Sequence, residues 1–88
     1  MKRVIFHRTF EKHYIKRVKS TPNLVKQFEQ RYSLFLAGER GYPLDDHPLT
    51  KKLAGKRSFS VAGDIRVIYV ETDNEVIFLD IGTHNQVY

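Results

Sequence analysis

Residues 57–81 read RSFSVAGDIRVIYVETDNEVIFLDI, and this stretch decides the fold. Residues 57–61 alternate polar and apolar side chains, which is typical of a strand with one buried face. The two following runs, 65–70 and 75–81, are dense in β-branched and aromatic residues and predict strands covered on much of both faces. Turn-forming residues separate the three runs, at 62–64 and 72–74. The stretch therefore predicts three consecutive antiparallel strands.

Upstream of these strands the spacing of apolar residues changes to that of helices. Thr9 is the predicted N-cap of a first helix, whose apolar positions are Phe10, Tyr14, Ile15 and Val18. Thr21-Pro22 predicts the start of a second helix, because Pro is favoured directly after an N-cap. Gly38 is its predicted C-terminal stop. Two helices joined by so short a turn indicate a helical hairpin.

The whole chain is predicted to be an α+β protein. Residues 3–6 form a short β-prone run before the helices, and residues 41–56, with two Pro and two Gly, are predicted to be a loop. The element order is then β-α-α-β-β-β, with the helical hairpin packed on a mostly antiparallel twisted sheet. No linker or repeat divides the sequence, so residues 1–88 are expected to form one domain.

The composition excludes several classes of site. The 88 residues contain no Cys, which removes disulfides, thiolate zinc sites, iron–sulfur clusters and thiol nucleophiles. The spacing of the four His fits no common metal motif, so neither a metal site nor a cofactor is expected. No apolar run approaches the roughly 20 residues that span a bilayer, and none resembles a signal peptide. We expect a soluble cytoplasmic protein without a membrane partner.

Charge is distributed unevenly along the chain. The formal net charge is +5, but residues 1–44 hold ten basic and three acidic side chains (+7), and residues 45–88 hold five and seven (−2). Such a basic half favours a polyanionic partner, either nucleic acid or an acidic protein segment. The alternative is that these Lys and Arg residues only solvate exposed helix faces.

Three side chains are candidates for chemistry. His47 lies in a loop stiffened by Pro, and His84 directly follows the last predicted strand, whereas His13 is expected to be a solvated helix residue. Arg66 lies inside a strand with the same facing parity as Ile68 and Val70. A strand Arg is costly unless it is paired or directed at an anion. Arg66 is therefore either in an ion pair with Asp64, Glu71 or Asp80, or directed at a phosphate on the open face of the sheet, which Ser58 and Ser60 could also line.

These residue types suit RNA cleavage by attack of the 2′-OH on the adjacent phosphorus. A protein assists this reaction by taking the 2′ proton, neutralising the phosphate and protonating the leaving 5′ oxygen. His, Asp or Tyr can transfer protons and Arg or Lys can hold the phosphate, so the reaction needs no metal.

Four segments carry a family resemblance. They are DHPL at 46–49, LAGKRSFSV at 53–61, DIRVIY at 64–69 and IGTHNQVY at 81–88. Together they resemble the RelE/ParE superfamily of bacterial and archaeal toxin–antitoxin toxins, nearest to the YafQ-like mRNA interferases. The N-terminal half is similar in layout only.

The resemblance implies a RelE-like fold and a ribosome-dependent endoribonuclease. Its partners would be a cognate antitoxin and the mRNA in the ribosomal A site beside 16S rRNA. His84 would be the principal general acid or base and His47 its counterpart. The other implied site residues are Asp64 as an orienting group, Tyr88 as a base-stacking or proton-relay group, and Arg66 as the phosphate ligand. The basic residues implied to contact RNA are Lys51, Lys52, Lys56 and Arg57.

The chain departs from the YafQ-like pattern at two positions, where the family has an Asp and a His and this sequence has Ser58 and Ser60. This departure keeps open a ParE-like gyrase inhibitor or a non-catalytic antitoxin-binding module. ParE-type chains generally lack both the DHPL loop and a terminal His, so His47 and His84 favour the nuclease. A plain RNA-binding domain is the third alternative, although no exposed aromatic pair is evident in the sequence.

Overall fold

Residues 2–88 are described by a computed structural model of the chain. The helices are α1 (Arg8–Arg17), α2 (Pro22–Leu36) and α3 (His84–Val87), and a 3₁₀ turn spans Lys51–Leu53. The strands are β1 (Arg3–Phe6), β2 (His47–Pro48), β3 (Arg57–Ala62), β4 (Ile65–Glu71) and β5 (Glu75–Gly82). The α+β class predicted from the sequence is confirmed.

Within residues 2–88 the strands form one sheet, in the order β1-β5-β4-β3-β2. Only β1 and β5 pair in parallel, and the other three pairs are antiparallel. The prediction of a mostly antiparallel sheet is therefore confirmed. The hairpins between β3, β4 and β5 make these strands neighbours in sequence order. The start of β4 therefore lies beside the ends of β3 and β5, and the end of β4 lies beside their starts.

The core lies between the helices and one face of the sheet, with α1 over β5 and α2 over β3. Its centre is the fully buried Phe78, whose ring contacts the rings of Phe6, Phe10, Tyr32, Phe35, Phe59 and Tyr69. Edge-to-face and tilted ring pairs of this kind add stability beyond the area that they bury. Phe59 and Val61 point into this core, as their alternation with Ser58 and Ser60 predicted.

The helix termini confirm two predictions and correct one. Thr21 is the N-cap of α2 with Pro22 at its first position, and Gly38 follows the end of α2 with φ of +92°. The N-cap of α1, however, is His7 and not Thr9. The His7 ring Nδ1 accepts a hydrogen bond from the Thr9 N–H at 3.1 Å, so an imidazole performs the capping role usually taken by a hydroxyl or carboxylate.

Three short elements were absent from the predicted order. The predicted loop 41–56 contains β2 and the 3₁₀ turn, and α3 follows β5. A two-residue strand leaves no alternating pattern to detect, because it exists only through its pairing with β3. The sequence did carry a signal for α3, since Thr83 and Gln86 form a capping box at its start.

His13 is also placed differently from the prediction. Its ring Nδ1 lies 2.6 Å from Asp80 Oδ1, and only 21% of its side chain is exposed. The expected solvated surface residue is instead a link between α1 and β5. No helix in the described part of the chain is both long and apolar enough to cross a bilayer.

Candidate active site

The face of the sheet opposite the helices holds the predicted polar side chains. Strand pairing aligns His47 with Ser58 and then Ile68 in one row, and Ser60 with Arg66 in the next. Directly paired residues project to the same side of a sheet. Arg66 thus lies on the same side of the sheet as both serines, as its parity predicted, but Ser58 is only 1% exposed, so the expectation that Ser58 lines an open groove is wrong.

Four of the predicted site residues form one cluster where β4 begins and β5 ends. The ring centroids of His84 and Tyr88 are 4.2 Å apart, with the rings edge to face, and the Arg66 guanidinium lies 5.6 Å from the Tyr88 ring centroid. The Arg66 guanidinium Nη2 is also 3.4 Å from Asp64 Oδ1. The other oxygen of that carboxylate accepts the backbone N–H of His84 at 3.2 Å. The carboxylate of Asp64 therefore contacts both the Arg66 guanidinium and the first residue of α3.

The ion pair of Arg66 with Asp64 is one of the alternatives that the sequence left open. Asp64 is 58% exposed and the separation is 3.4 Å, so this pair is weak and partly solvated. A phosphate oxygen could replace Asp64 as the partner of the Arg66 guanidinium, because the carboxylate of Asp64 would remain solvated. The pair is compatible with a phosphate-binding role for Arg66.

A depression of about 580 Å³ opens beside the cluster. The residues that line it are Leu49, Thr50, Lys51, Lys52, Leu53, His84 and Tyr88. Two of the four basic residues predicted to contact RNA therefore border the same cavity as His84. Lys51 and Lys52 belong to the 3₁₀ turn, His84 begins α3 and Tyr88 directly follows it. The depression therefore lies between the 3₁₀ turn and the C-terminal segment.

His47 lies on the same face of the sheet but outside this cluster. It is exposed, and its ring Nδ1 is 2.9 Å from the backbone carbonyl oxygen of Asp45. Because β2 is two strands away from β4, roughly 10 Å of sheet separates the two backbones. His84 follows β5, which is one strand further from β2, so the two predicted proton-transfer residues are on opposite sides of the open face.

The remaining two basic residues lie elsewhere. Lys56 is half-buried and does not line the depression. The Arg57 guanidinium binds the carboxylate of Asp46, with Nε and Nη2 at 2.8 and 2.7 Å from Oδ1. The structure therefore gives Arg57 an ion pair within the protein that the sequence did not predict.

Asp46 is a functional candidate that the sequence analysis left without a role. Its side chain is fully buried, and its second oxygen accepts the hydroxyl of Tyr69. Burial and the hydrogen bond to Asp46 raise the pKa of Tyr69 well above its usual value. Asp46 is adjacent to His47 and fixes this segment to β3 and β4 from the helix side. Arg57 and Tyr69 are 11 and 23 residues away from Asp46 in the sequence, so no local pattern indicated these contacts.

The site has the groups for proton transfer and anion binding. The exposed imidazole of His84 and the two lysines border one accessible volume, and the guanidinium of Arg66 lies next to it, 5.6 Å from the ring centroid of Tyr88. Within residues 2–88 no three His, Asp or Glu side chains are grouped so that they could hold a metal ion. The arrangement can hold a phosphate next to a titratable imidazole.

The sequence model for the bacterial toxin of the type II toxin–antitoxin system, YafQ, matches residues 2–88. The chain belongs to the YafQ toxin family. It is thus a toxin of a type II toxin–antitoxin system, and the resemblance drawn from its motifs is confirmed. No curated protein sequence matches the chain.

Solved structures similar to this YafQ-family chain have the same fold along its whole length. YafQ from E. coli strain BL21(DE3) has a TM-score of 0.83 at 22% identity, covering 100% of this chain and 99% of that one. A chain of the E. coli DinJ–YafQ complex has a TM-score of 0.74 at 27% identity over 100% and 99%. A metal-bound toxin from Helicobacter pylori has a TM-score of 0.81 at 21% identity, with both chains fully covered.

Proposed function

We propose that this YafQ-family toxin is a ribosome-dependent endoribonuclease that cleaves mRNA. The observation that carries the proposal is the convergence of Asp64, Arg66, His84 and Tyr88 beside a depression lined by two lysines. A phosphodiester in this depression would lie next to an imidazole and several cationic groups. These are the groups that cleavage by the 2′-OH requires.

The proposed reaction is a transesterification within the RNA. The 2′ oxygen forms a bond to phosphorus, the bond from phosphorus to the 5′ oxygen breaks, and the proton of the 2′-OH passes to a general base. The leaving 5′ oxygen takes a proton from a general acid. The products are a 2′,3′-cyclic phosphate and a 5′-OH, and no co-reactant is consumed.

The residues have distinct roles in this scheme. His84 transfers one of the two protons, because it is exposed and adjacent to Arg66 through the Tyr88 ring. Arg66 neutralises the charge that builds on the phosphate. Tyr88, at 42% exposure, holds the imidazole edge to face and presents part of its ring for stacking on a base.

His47 transfers the second proton from the other side of the bound RNA. An RNA strand that crosses the open face between β2 and β4 covers the roughly 10 Å between the backbones of His47 and Arg66. His84 follows β5, one strand beyond β4, so roughly 14 Å of sheet lies between its backbone and that of His47, and two imidazole side chains with one phosphate between them can fill this gap. Inversion at phosphorus places the attacking and leaving oxygens on such opposite sides.

Replacing Arg66 with alanine is expected to lower the single-turnover cleavage rate about tenfold. The effect falls short of the roughly hundredfold typical of a lost oxyanion donor, since the guanidinium is partly solvated. Binding to ribosomes, measured by co-sedimentation, should change little. Arg66→Lys keeps the charge but not the forked geometry and should recover only part of the rate. An unchanged rate for Arg66→Ala would leave Arg66 as a structural ion-pair partner of Asp64.

The proposed regulator is a cognate antitoxin that docks on the helical hairpin. An apolar groove of about 260 Å³ lies between α1 and α2, lined by Phe6, Phe10, Glu11, Tyr14, Ile15 and Phe28. Ile15 is 59% exposed, and the half of the sequence that contains it, residues 1–44, carries a net charge of +7. An acidic amphipathic helix is complementary to both features. The E. coli relative forms a complex with DinJ, which supports an antitoxin partner here.

Replacing Ile15 with glutamate is expected to weaken antitoxin binding at least about thirtyfold. A charge buried without a partner at the centre of an interface costs about 2 kcal/mol or more. The measurement is the Kd of the purified toxin for its cognate antitoxin. Leu36→Glu is the matched control, because Leu36 is 54% exposed but lies outside the groove. Equal losses for both variants would contradict docking in this groove.

A further inference from the structure

The helix that carries His84 depends on contacts at its base. α3 has four residues, and an isolated helix of one turn is not stable in water. The direction of the His84 side chain is therefore set by whatever fixes the junction between β5 and α3. That junction is Gly82-Thr83.

Gly82 is enclosed by side chains from two different helices. A Cβ at this position would lie 2.6 Å from Gln86 Oε1 of α3 and 2.7 Å from Arg17 Nη1 of α1. Its φ is not in the left-handed region, so the need for glycine here is one of space. The guanidinium of Arg17 and the side-chain amide of Gln86 occupy the space next to the Gly82 Cα where a Cβ would lie.

Each of these two side chains is bound to a neighbouring part of the junction. Gln86 Oε1 accepts the backbone N–H of Thr83 at 2.8 Å and so completes the capping box of α3. Arg17 Nη1 donates to the carbonyl oxygen of Ile81 at 2.9 Å. It is also 3.6 Å from Asp80 Oδ1, the atom that His13 contacts. α1 is therefore attached to the last residues of β5 by two side chains.

We propose that Arg17 is a positioning residue for His84. It fixes Ile81 and Gly82, and through Gln86 and the capping box it fixes the direction in which α3 leaves the sheet. The proposal deepens the proposed function, on which it rests, because its consequence is the placement of the His84 ring beside Tyr88 and Arg66. Arg17 does not itself line the depression.

Arg17→Ala is expected to lower kcat for ribosome-dependent cleavage about tenfold and to leave KM within about twofold. The second readout is the NMR chemical shift of the His84 ring protons, which the edge-to-face Tyr88 ring perturbs in the native protein. This shift should move toward that of free histidine. Arg17→Lys keeps a donor near Ile81 and should recover part of both signals.

Val18→Ala is the control for a general loss of stability. Val18 follows Arg17 and is fully buried, so its truncation lowers the unfolding temperature but keeps the hydrogen bond from Arg17 to the Ile81 carbonyl. We expect the His84 shift and kcat to be retained in this variant. If Val18→Ala and Arg17→Ala alter the His84 shift equally, Arg17 acts only through stability and the proposal fails.

A double-mutant cycle tests the contact itself. Gly82→Ala in the native background should lower cleavage about tenfold, because the methyl group displaces Arg17 and Gln86. In the Arg17→Ala background only Gln86 still opposes the methyl group, so the second substitution should cost about threefold instead of about tenfold. Independent effects of the two substitutions would overturn the proposal. The NMR readout needs no cleavage, so a toxin without nuclease activity whose His84 shift still responds refutes the proposed function and supports the positioning role.

Discussion

Replacing His84 with alanine lowers translation-dependent mRNA cleavage about a hundredfold or more, the usual contribution of a general acid or base. The unfolding temperature should move by no more than about 4 °C. The His84 side chain is exposed, and its described ring contact is with Tyr88. The bond that anchors α3 to Asp64 comes from the His84 backbone, which the substitution keeps. The measurements are single-turnover cleavage on stalled ribosomes and a thermal scan.

Asn85→Ala is the matched control for His84→Ala. Asn85 is the next residue of the same helix and is also exposed, but it does not line the depression. Cleavage by this variant should stay close to that of the unmodified toxin. Full activity of His84→Ala would remove His84 from the reaction. A large loss of stability in His84→Ala would instead show that the residue supports the fold.

Replacing Asp46 with alanine should have the largest effect on stability of the substitutions considered. It leaves the buried Tyr69 hydroxyl without its acceptor and the Arg57 guanidinium without its ion pair. The expected loss is about 2 kcal/mol, which lowers the unfolding temperature by roughly 8–16 °C in a domain of this size. Cleavage should also fall, because the segment carrying His47 loses its attachment to β3 and β4. Thermal unfolding and single-turnover cleavage measure the two effects.

Two variants separate the Asp46 network from a general charge effect. Asp73→Ala removes a carboxylate from the exposed hairpin between β4 and β5 and should leave stability nearly unchanged. Asp46→Ala combined with Tyr69→Phe should be more stable than Asp46→Ala alone, since no buried hydroxyl is then left unpaired. If the double variant is no better than the single one, the Tyr69 contact does not contribute to the anchor.

The sequence was informative wherever local pattern and tertiary environment agree. The alternation in β3 and the apolar runs of β4 and β5 predicted the strands, because one face of each packs under the helices. The same alternation predicted that Arg66 shares a face with the two serines. Proline and glycine marked the ends of α2 correctly, since both act through backbone conformation alone.

The sequence was less informative where a side chain acts across a long separation. Asp46 meets Tyr69 over 23 residues and His13 meets Asp80 over 67, and neither spacing leaves a periodic trace. A solvated helix His and an acidic loop residue are the simplest local interpretations, and tertiary contacts replaced both. The two-residue β2 was missed for the same reason, whereas α3 was missed although Thr83 and Gln86 carry a local capping signal for it.

The sequence suggested which residues belong to the candidate site, but not how they are arranged. Motif resemblance selected His47, Asp64, Arg66, His84 and Tyr88. The strand register then explains why four of them form a cluster and His47 faces it from across the sheet. Arg57 shows that the number of basic residues in a segment does not reveal which of them can bind RNA. Its guanidinium forms an ion pair with Asp46 within the protein.

The most direct test of the account is primer extension on an mRNA in a reconstituted translation system with the purified toxin. Two messages should be compared, one translated and one identical except for a disrupted start codon. The account predicts new 5′ ends within the codons of the translated message and an intact second message. An intact translated message with normal protein synthesis would contradict the nuclease, and a non-catalytic antitoxin-binding protein or a gyrase inhibitor would then be the account to pursue.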